Sequence, residues 1–467
     1  MSDSKNSAAA NGKPDAPKPQ KTPARPTLKA VRGTRDLLPD QTPLWNHVES
    51  TARALFARYG FGEIRTPIFE TTELFARGVG EETDIVSKEM FTWEDRARAA
   101  SEKAQSLTLR PESTAGVVRA YIEHKLGETG QLQKLYYIGP QFRRERPQRG
   151  RYRQFWQIGA EVIGPQSSGA ESPLRDAEVL EMLASLLNEL GIRDWRLELN
   201  SVGSSEDRVR YNAALREALQ PVKHQLCPDN QRRAETNPLR VLDSKDEADQ
   251  DIINALPKIA DYLGPESAAH FAQVLAALDA CAVPYHLNPR LVRGLDYYTR
   301  TTFEFTVTTG LGTQNALLGG GRYDGLSEML GGPKAPGIGF AIGEDRLILT
   351  LQAQAEAEAA ANPGAPGPAS GTWVSAKKLD AYIAPLGIAQ NPAALALAHD
   401  LRAAGLKVEV GDGTFKLRKS FDTADTVARH IILLGEDEAA TNILTVKTFA
   451  TGEQKKVSRA KLAEALA

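Results

Sequence analysis

Cysteine and histidine are scarce in this chain of 467 residues, which contains two cysteines and seven histidines. Cys227 and Cys281 do not form a C-x-x-C pair, and no histidines stand at the spacing of a zinc site. The sequence therefore predicts no structural disulfide and no zinc or other protein-bound metal site. Such cysteine usage favours the reducing cytoplasm as the location of the protein.

Long apolar segments are missing as well. No apolar run approaches the ~18 residues that a membrane-spanning helix requires, and the N-terminus has no apolar stretch of the secretory kind. We therefore expect neither a membrane span nor a membrane partner. The net charge of −2 also argues against a protein that binds polyanions over its whole surface. Any contact with nucleic acid must depend on a local basic patch.

Two common nucleotide-binding motifs are absent. The chain has no G-x-x-x-x-G-K-[ST] loop, which excludes a P-loop ATPase. The glycines at 337, 339 and 343 do not have the spacing of a dinucleotide-binding loop, which excludes a Rossmann site. If the protein binds ATP, other groups must hold the phosphates.

Composition divides the chain into segments. Residues 1–27 contain mostly Ala, Pro, Lys, Ser and Asn, so they are expected to form a disordered tail, with a transit peptide as the alternative. Residues 353–375 are rich in Ala, Pro and Gly, which is typical of a linker. The boundaries predict a main domain over 28–352 and a second domain over 376–467.

Strand-like alternation recurs along the main domain with few helices between the strands. We expect helices from Thr42-Pro43 to Gly60 and from about Leu174 to Leu190. The expected strands are 63–68, 107–110, 135–139, 157–163, 195–199 and 302–307. This order favours an α+β fold, a largely antiparallel sheet flanked by helices, with a helical insertion at about 205–280. Beyond the linker, alternating strands and helices predict a small α/β domain with a mainly parallel sheet.

The densest chemical signal is a basic hairpin at Tyr137–Phe155. Six arginines stand within eleven residues, namely Arg143, Arg144, Arg146, Arg149, Arg151 and Arg153. A planar guanidinium can bind phosphate with two hydrogen bonds and can stack on a purine. A solvated charged loop is the alternative. The next strand carries Gln157 and Glu161 on one face, so the segment suggests a pocket for a zwitterion and a polyphosphate.

Three further segments carry candidate groups. Residues 291–301 combine Arg293 with the paired Tyr297 and Tyr298, although core packing is an alternative for the tyrosines. Residues 319–325 are glycine-rich, which predicts either a tight turn or a close approach of the backbone to a ligand. Residues 337–347 read as a strand of small residues followed by a helix that carries Arg346 in its first turn.

Together these segments resemble the class II aminoacyl-tRNA synthetases, and within them the histidyl-tRNA synthetase family. The resemblance extends from about Leu28 to the C-terminus. Residues 33–39 resemble the family's opening signature, Arg65-Thr66-Pro67 resembles motif 1, the basic hairpin resembles motif 2, and the segment ending at Arg346 resembles motif 3. The resemblance implies a class II antiparallel catalytic domain over 28–352, an anticodon-binding α/β domain over 376–467, and a homodimer.

The resemblance also implies an activity. The family activates L-histidine with ATP to histidyl-adenylate, releases pyrophosphate and transfers histidine to the 3′ end of tRNA(His), with Mg2+ accompanying the ATP. By position, Arg143, Arg293 and Arg346 match the catalytic arginines, and Arg151 joins Arg143 and Arg346 at the ATP. The positions that match the histidine-binding groups are Glu112, Ser113, Thr114, Gln157, Glu161, Arg293, Tyr297 and Tyr298. Gln148 and Arg146 match the loop that approaches the tRNA.

Two positions depart from the family pattern. Ser113 stands where a glycine is expected, and Phe421-Asp422-Thr423-Ala424 lacks the basic pair expected before the alanine. Two other classes of protein share the fold: a synthetase-like regulatory subunit of histidine biosynthesis and a pseudo-synthetase domain that senses uncharged tRNA. The three arginines and the second domain argue against the first, and the lack of a kinase signature argues against the second.

Overall fold

The structure is a computed structural model that describes residues 27–80, 83, 85–95, 104–295, 297–312, 315–361 and 379–466. The tail expected at 1–27 lies outside the described residues apart from Thr27, and so do residues 362–375 of the expected linker. Asp296, which belongs to the segment 291–301, also lies outside them.

The strands and helices alternate irregularly along the chain. The strands are β1 Gly62–Glu63, β2 Phe69–Thr71, β3 Phe91–Asp95, β4 Gln105–Leu109, β5 Gln133–Phe142, β6 Gln154–Ile163, β7 Trp195–Ser201, β8 His286–Leu287, β9 Thr299–Val307, β10 Ala316–Arg322, β11 Gly337–Gly343, β12 Leu379–Pro385, β13 Val408–Val410, β14 Ala428–Leu434, β15 Ile443–Thr448 and β16 Gln454–Ser458. The α-helices are α1 Thr42–Arg58, α2 Thr72–Val79, α3 Thr114–Glu123, α4 Pro173–Glu189, α5 Ser205–Leu219, α6 Pro228–Thr236, α7 Gln250–Asn254, α8 Pro265–Ala280, α9 Leu326–Met329, α10 Glu344–Ala361, α11 Asn391–Ala403, α12 Leu417–Val427, α13 Glu436–Thr441 and α14 Leu462–Leu466.

The main domain is built on a large sheet. Its strand order in the described part of the chain is β1-β5-β6-β11-β10-β9-β7-β8. The pairs from β5 to β7 are antiparallel, and the short edge strands β1 and β8 join in parallel. The expectation of a largely antiparallel sheet flanked by helices is therefore confirmed, as is the basic hairpin, because β5 and β6 pair directly on either side of residues 143–153.

The segment at 63–68 differs from its prediction as a strand. Only Gly62 and Glu63 pair with β5. Pro67 has no amide hydrogen to donate to a ladder. The carbonyl oxygens of Thr66 and Pro67 instead accept hydrogen bonds from the Arg110 guanidinium, at 3.0 and 3.4 Å. A side chain thus replaces a strand partner in this segment, which resembles motif 1.

Helices α5–α8 occupy residues 205–280 between β7 and β8. Helices α5–α7 share a hydrophobic cluster of their own around Tyr211, Leu215 and Val241, whereas Val274 and Leu278 of α8 belong to the core of the large sheet. Residues 353–361 of the expected linker are helical, because α10 continues to Ala361. Alanine and glutamate favour a helix, so the run Ala353–Ala361 extends α10 before the prolines begin.

The second domain has a sheet of mixed direction in the order β13-β12-β14-β15-β16. The pairs of β12 with β13 and β14 are parallel, but β15 pairs antiparallel with both β14 and β16. The expectation of a mainly parallel sheet was therefore wrong for the last two strands. The connections before β15 and β16 are shorter than the dozen residues that a parallel crossover needs.

Helices α1 and α4 cover the large sheet with a continuous apolar core that includes Phe56, Leu183 and Phe340. Among the described helices, none combines the length and the apolar character that crossing a membrane requires. An ionisable residue without a hydrogen-bond partner in the described part of the chain is buried near this core. Glu344 at the start of α10 is fully buried, and neither carboxyl oxygen has a hydrogen-bond partner among the described residues.

Burial raises the pKa of Glu344 to about 9, and the charges of Glu49 and Asp345 add to the effect. The folded protein therefore keeps a proton on Glu344 that the unfolded chain releases above its ordinary pKa of 4.5. Because the folded-state pKa is the higher one, Glu344 lowers stability progressively as pH rises from about 4.5 toward 9.

Replacing this group should stabilise the protein. Glu344→Met keeps the volume and removes a buried polar group, so we expect a gain of about 1–3 kcal/mol. The increase in melting temperature should be larger at pH 8.5 than at pH 6. Thermal unfolding at the two pH values measures this, with Glu356→Met on the exposed side of α10 as the control. Equal shifts at both pH values would contradict the assigned pKa.

Candidate active site

A cavity of about 290 Å³ opens among β5, β6, β9, β10 and β11, the basic loop and the starts of α3 and α10. Four arginines line it: Arg143, Arg151, Arg293 and Arg346. They come from three segments far apart in the chain and meet because the sheet brings β6, β9 and β11 together. One wall of the cavity is thus strongly cationic.

The loop arginines are held by local partners. Arg143 donates through Nε to the carbonyl oxygen of Pro111 at 2.9 Å, and its guanidinium lies 5.3 Å from the centre of the Phe155 ring. Glu145 lies between the two loop arginines, 3.8 Å from Arg143 and 3.1 Å from Arg151. These contacts orient both guanidinium groups before any substrate binds.

Arg293 and Arg346 come from two other segments: Arg293 lies between β8 and β9, and Arg346 lies in the first turn of α10. Arg293 forms an ion pair with Glu304 of β9. Burial lowers the pKa of Arg293, but the charge and hydrogen bond of Glu304 together with Tyr298 and Asp243 outweigh it, so that the net pKa is raised and the group stays cationic. Arg346 donates to the carbonyl oxygen of Ala316. Burial, reinforced by repulsion from Arg151, lowers the pKa of Arg346, as expected of cations gathered in a site for an anion.

A buried carboxylate lies directly behind the other wall. Glu161 is fully buried, and its two oxygens accept hydrogen bonds of 2.7 Å from the hydroxyls of Thr114 and Tyr323. Burial raises the pKa of Glu161 to about 8, against the effect of these two hydrogen bonds, and the charge of Glu112 raises it further. A carboxyl group of this kind can change its protonation near neutral pH.

Glycines make room for these side chains. Gly339 of β11 pairs with Glu161 in register, and a Cβ atom there would lie 1.7 Å from the Glu161 carboxyl oxygen. A Cβ atom on Gly319 of β10 would lie 2.6 Å from the Arg293 guanidinium. Close approach, and not a tight turn, therefore explains the glycines at 319–321, since they lie within β10.

Glu112 caps helix α3. Its carboxylate accepts hydrogen bonds from the backbone amides of Thr114 and Ala115, at 2.7 and 3.0 Å. Burial raises its pKa, while the two amides lower it in part. The group still lines the cavity beside Thr114 and Gln157. The Gln157 side-chain oxygen is buried and has no hydrogen-bond partner among the described residues, so it can accept from a ligand.

Three tyrosines complete the apolar wall. The rings of Tyr297 and Tyr298 lie 4.7 Å apart between centroids, and Tyr323 meets Tyr297 edge-on at 5.9 Å. Burial raises the pKa of all three hydroxyls, so they remain neutral donors at physiological pH. A flat polar ring would fit against such a wall.

Most of the residues singled out from the sequence meet in this cavity. The lining includes Glu112, Thr114, Arg143, Arg151, Gln157, Arg293, Tyr297, Tyr298 and Arg346. Glu161 lies behind the lining and reaches it through Thr114 and Tyr323. The Ser113 hydroxyl accepts from Gln141 at 2.6 Å, and Ser113 is not among the described residues of the wall. Arg146 and Gln148 lie exposed on the loop outside the cavity.

Sequence reasoning missed several polar residues of this region. Tyr323 and Glu304 line the cavity, and so does Glu145. Glu304 stands between Phe303 and Phe305 of β9, so strand alternation could have assigned it to the polar face. Tyr323 lies in the glycine-rich segment that the sequence had marked. Its hydrogen bond to Glu161 depends on the pairing of β10, β11 and β6, which the sequence does not display.

One group outside the cavity resembles metal ligands. Potential ligand atoms of Cys227, Asp246 and Asp249 lie within 4.8 Å of one another. The Asp249 oxygens already accept hydrogen bonds from the Cys227 amide and the Asn230 side chain, at 2.9 and 2.6 Å. The arrangement is accounted for by the start of α6, and both cysteines are free thiols.

The second domain presents its basic residues around α12. Lys416 and Arg418 are exposed at the start of this helix, and the Lys419 ammonium lies 3.9 Å from the centre of the Phe415 ring. Phe421, at the departure from the family pattern, packs into the core, and Lys447 of β15 lies 5.3 Å from its ring. A neighbouring strand thus supplies positive charge near this position.

Comparison with known proteins agrees with this geometry. The Histidyl-tRNA synthetase family matches residues 33–347, and the Anticodon binding domain family matches residues 380–467. A histidine–tRNA ligase of Koribacter versatilis is 64% identical over 437 residues, which cover 93% of this chain and 95% of the relative. A histidine–tRNA ligase of Solibacter usitatus is 51% identical over 441 residues, covering 94% of this chain and 99% of the relative.

A solved structure agrees as well. The crystal structure of apo histidyl-tRNA synthetase from S. aureus superposes with a TM-score of 0.74 at 37% identity, covering 94% of this chain and 100% of that one. The fold, the arginine-lined cavity, the two family matches and this extent of identity lead to one conclusion. The chain belongs to the histidyl-tRNA synthetase family.

Proposed function

We propose that the cavity binds histidine and ATP side by side and joins them as histidyl-adenylate. As a member of its family, the chain attaches histidine to tRNA in an ATP-dependent reaction. The observation that carries the assignment of the site is the meeting of four arginines and three acceptor groups for an ammonium in one cavity, with the buried carboxyl of Glu161 directly behind its wall.

The cationic wall is assigned to ATP. Arg143 binds the α-phosphate, Arg346 lies near the γ-phosphate, and Arg151 adds charge from the loop. A histidine carboxylate oxygen attacks the α-phosphorus, the bond to the β-phosphate oxygen breaks, and pyrophosphate leaves. Negative charge increases on the α-phosphate as this occurs, so arginines oriented in advance stabilise the transition state more than the ground state. Arg293 lies between the substrate carboxylate and the α-phosphate and holds both.

The opposite wall is assigned to histidine. Glu112, Thr114 and Gln157 offer oxygens for the α-ammonium group. Glu161, acting with Tyr323, and Tyr298 bind the two imidazole nitrogens, while Tyr297 packs on the ring. A site built from hydrogen bonds discriminates by ~10⁴–10⁵ against analogues that lack the matching groups. Ser113 supports this wall through its bond to Gln141.

Mg2+ is proposed to enter with ATP as part of the substrate. Mg2+ prefers oxygen ligands, and the carboxylates of Glu145 and Glu304 line the phosphate side of the cavity. These two residues would hold the ion, which neutralises phosphate charge when it is bound. No role for zinc is proposed, since the assigned residues need no Lewis acid of that kind.

The second step uses tRNA. A ribose hydroxyl at the 3′ end attacks the adenylate carbonyl, and AMP leaves. Arg146 and Gln148 on the exposed loop are proposed to meet the acceptor end of tRNA(His). The second domain, with Lys416 and Arg418 on α12, is proposed to bind the anticodon. With the domain boundaries expected from composition, activation is assigned to the domain 28–352 and anticodon binding to the domain 376–467.

A homodimer is also proposed. Phe69 and Trp93 are 53% and 40% exposed and lie 6.0 Å apart between ring centroids, and Ile68 is exposed beside them. Large apolar side chains clustered at the surface favour an interface with another protein. They adjoin the segment that resembles motif 1. The cytoplasm is the proposed location, because tRNA and ATP are used there.

The two non-enzymatic alternatives are less well supported. A regulatory subunit would not need Arg143, Arg293 and Arg346 in one cavity or an anticodon-binding domain. Histidine-dependent exchange of pyrophosphate with ATP distinguishes the proposed enzyme from both non-enzymatic alternatives. Its absence in well-folded protein would refute the proposed function.

Arg293 provides the sharpest test of the activation step. Arg293→Ala should lower kcat for pyrophosphate exchange by about 10²–10³, the usual effect of removing one group that stabilises transition-state charge. The loss should come with an unchanged far-ultraviolet circular dichroism spectrum. Arg196→Ala, an exposed arginine of β7, is the control and should retain full activity. Unchanged exchange kinetics in Arg293→Ala would refute the role.

Glu161 and Tyr323 test histidine recognition. Glu161→Gln should raise the KM for histidine in exchange by about 10–100-fold, since the amide replaces one acceptor oxygen of the carboxyl with an NH2 donor and disturbs the hydrogen bonds that the buried group makes. Tyr323→Phe should raise it less, because Glu161 keeps its contact with Thr114. The KM for ATP should change little in either. Tyr136→Phe removes a hydroxyl from β5 outside the cavity and should leave both constants unchanged. A rise in the KM for ATP alone would show that Glu161 does not act on histidine.

The second domain can be tested separately. Removing two exposed charges by Lys416→Ala and Arg418→Ala should raise the KM for tRNA in aminoacylation by about tenfold, since each contact with phosphate contributes to affinity. Pyrophosphate exchange needs no tRNA and should be unaffected in the same variant. Unchanged aminoacylation at moderate salt would show that α12 does not contact tRNA.

A further inference from the structure

The segment Arg32–Arg35, here called the N-terminal strap, lies against the basic loop. The Arg153 backbone amide donates to the carbonyl oxygen of Gly33 at 2.7 Å, and the Arg153 guanidinium reaches the carbonyl oxygen of Arg32 at 3.4 Å. The loop arginines carry the proposed ATP contacts. The contacts of the strap indicate how it could influence those arginines.

Arg35 touches two separate parts of the cavity wall. Its guanidinium lies 4.4 Å from the centre of the Tyr152 ring, and its Nη2 lies 2.6 Å from the Asp345 carboxylate. Tyr152 and Asp345 both line the cavity. Tyr152 belongs to the basic loop next to Arg151, and Asp345 precedes Arg346 in the first turn of α10.

Asp345 extends the connection to the sheet. It is 4% exposed, and its second oxygen accepts a hydrogen bond of 3.0 Å from the Trp156 amide on β6. The carboxylate thus joins α10, β6 and the strap at one point. The Trp45 ring, 5.7 Å from the Arg35 guanidinium, supports that guanidinium from α1.

We propose that Arg35 is a positioning residue for ATP, which sets the basic loop and the first turn of α10 at the spacing that lets Arg151 and Arg346 act on one triphosphate. It does so by stacking on Tyr152 while it pairs with Asp345. The inference rests on the proposed ATP site. A planar guanidinium can stack through its face and pair through its edge at the same time, which an ammonium cannot do.

This arrangement predicts a specific kinetic effect. Losing Arg35 leaves the loop and α10 intact but removes the contact that couples them, so phosphate binding should suffer and histidine binding should not. In pyrophosphate exchange, Arg35→Ala should raise the KM for ATP about tenfold, as expected for a cation–π contact and a partly buried ion pair. The KM for histidine should stay within about twofold. Arg35→Lys should restore part of the ATP affinity through the ion pair.

A double-mutant cycle separates this role from a general loss of stability. Asp345→Asn should also raise the KM for ATP, and adding Arg35→Ala to it should cost much less than Arg35→Ala costs alone. Arg58→Ala, which breaks an exposed ion pair with Glu189, is the matched control and should leave the KM for ATP unchanged. Exchange by this control variant tests the proposed function independently of Arg35.

Three outcomes would overturn the proposal. The first is an unchanged KM for ATP in Arg35→Ala. The second is an equal rise in the KM values for ATP and histidine, which would indicate general damage to the site. The third is a lowered melting temperature with fully additive effects in the cycle, which would indicate two unrelated structural roles.

Discussion

The buried carboxyl of Glu161 is the constraint around which the catalytic sheet is arranged. A carboxyl group without water is costly unless hydrogen bonds satisfy it. Two hydroxyls do so, one from Thr114 at the start of α3 and one from Tyr323 just after β10. Gly339 on β11 must lack a side chain to leave space for the same group. Three elements distant in sequence therefore have to meet Glu161 in one register, because a shift by one residue would turn it to the other face.

The arginines impose a second constraint, that of charge. Four guanidinium groups in one cavity would repel one another if nothing balanced them. Glu145 pairs with the two loop arginines and Glu304 with Arg293, so the positive charge of the cavity is partly neutralised. Under the proposed function, a triphosphate competes with these carboxylates for guanidinium groups that are already oriented. Burial lowers the pKa of Arg346, and the nearby charge of Arg151 lowers it further.

Particular residues show how far the sequence could be read. The hairpin around residues 143–153 was predictable because proline, glycine and six arginines separate two clear strands. The order of segments also indicated the family, and nine of the residues predicted for the site line the cavity. The strand predicted at 63–68 was wrong beyond Glu63, where an arginine side chain, Arg110, binds the carbonyl oxygens of Thr66 and Pro67 that a neighbouring strand would bind. The mixed direction of the second sheet was missed because alternating elements alone do not determine strand direction.

Local pattern by itself determined the nature of the protein: its α+β class, the basic hairpin, the strand of small residues before Arg346 and the absence of other nucleotide-binding loops. These features depend on the spacing of residues that are close together in the sequence, and that spacing is the same whether or not the chain is folded. Tertiary structure alone decided the partners: Tyr323 with Glu161, Glu304 with Arg293, and Arg35 with both Tyr152 and Asp345. The last of these joins residues 310 positions apart. Such contacts arise only when strand pairing and helix packing bring distant segments together. A local sequence pattern does not indicate which distant residues will meet.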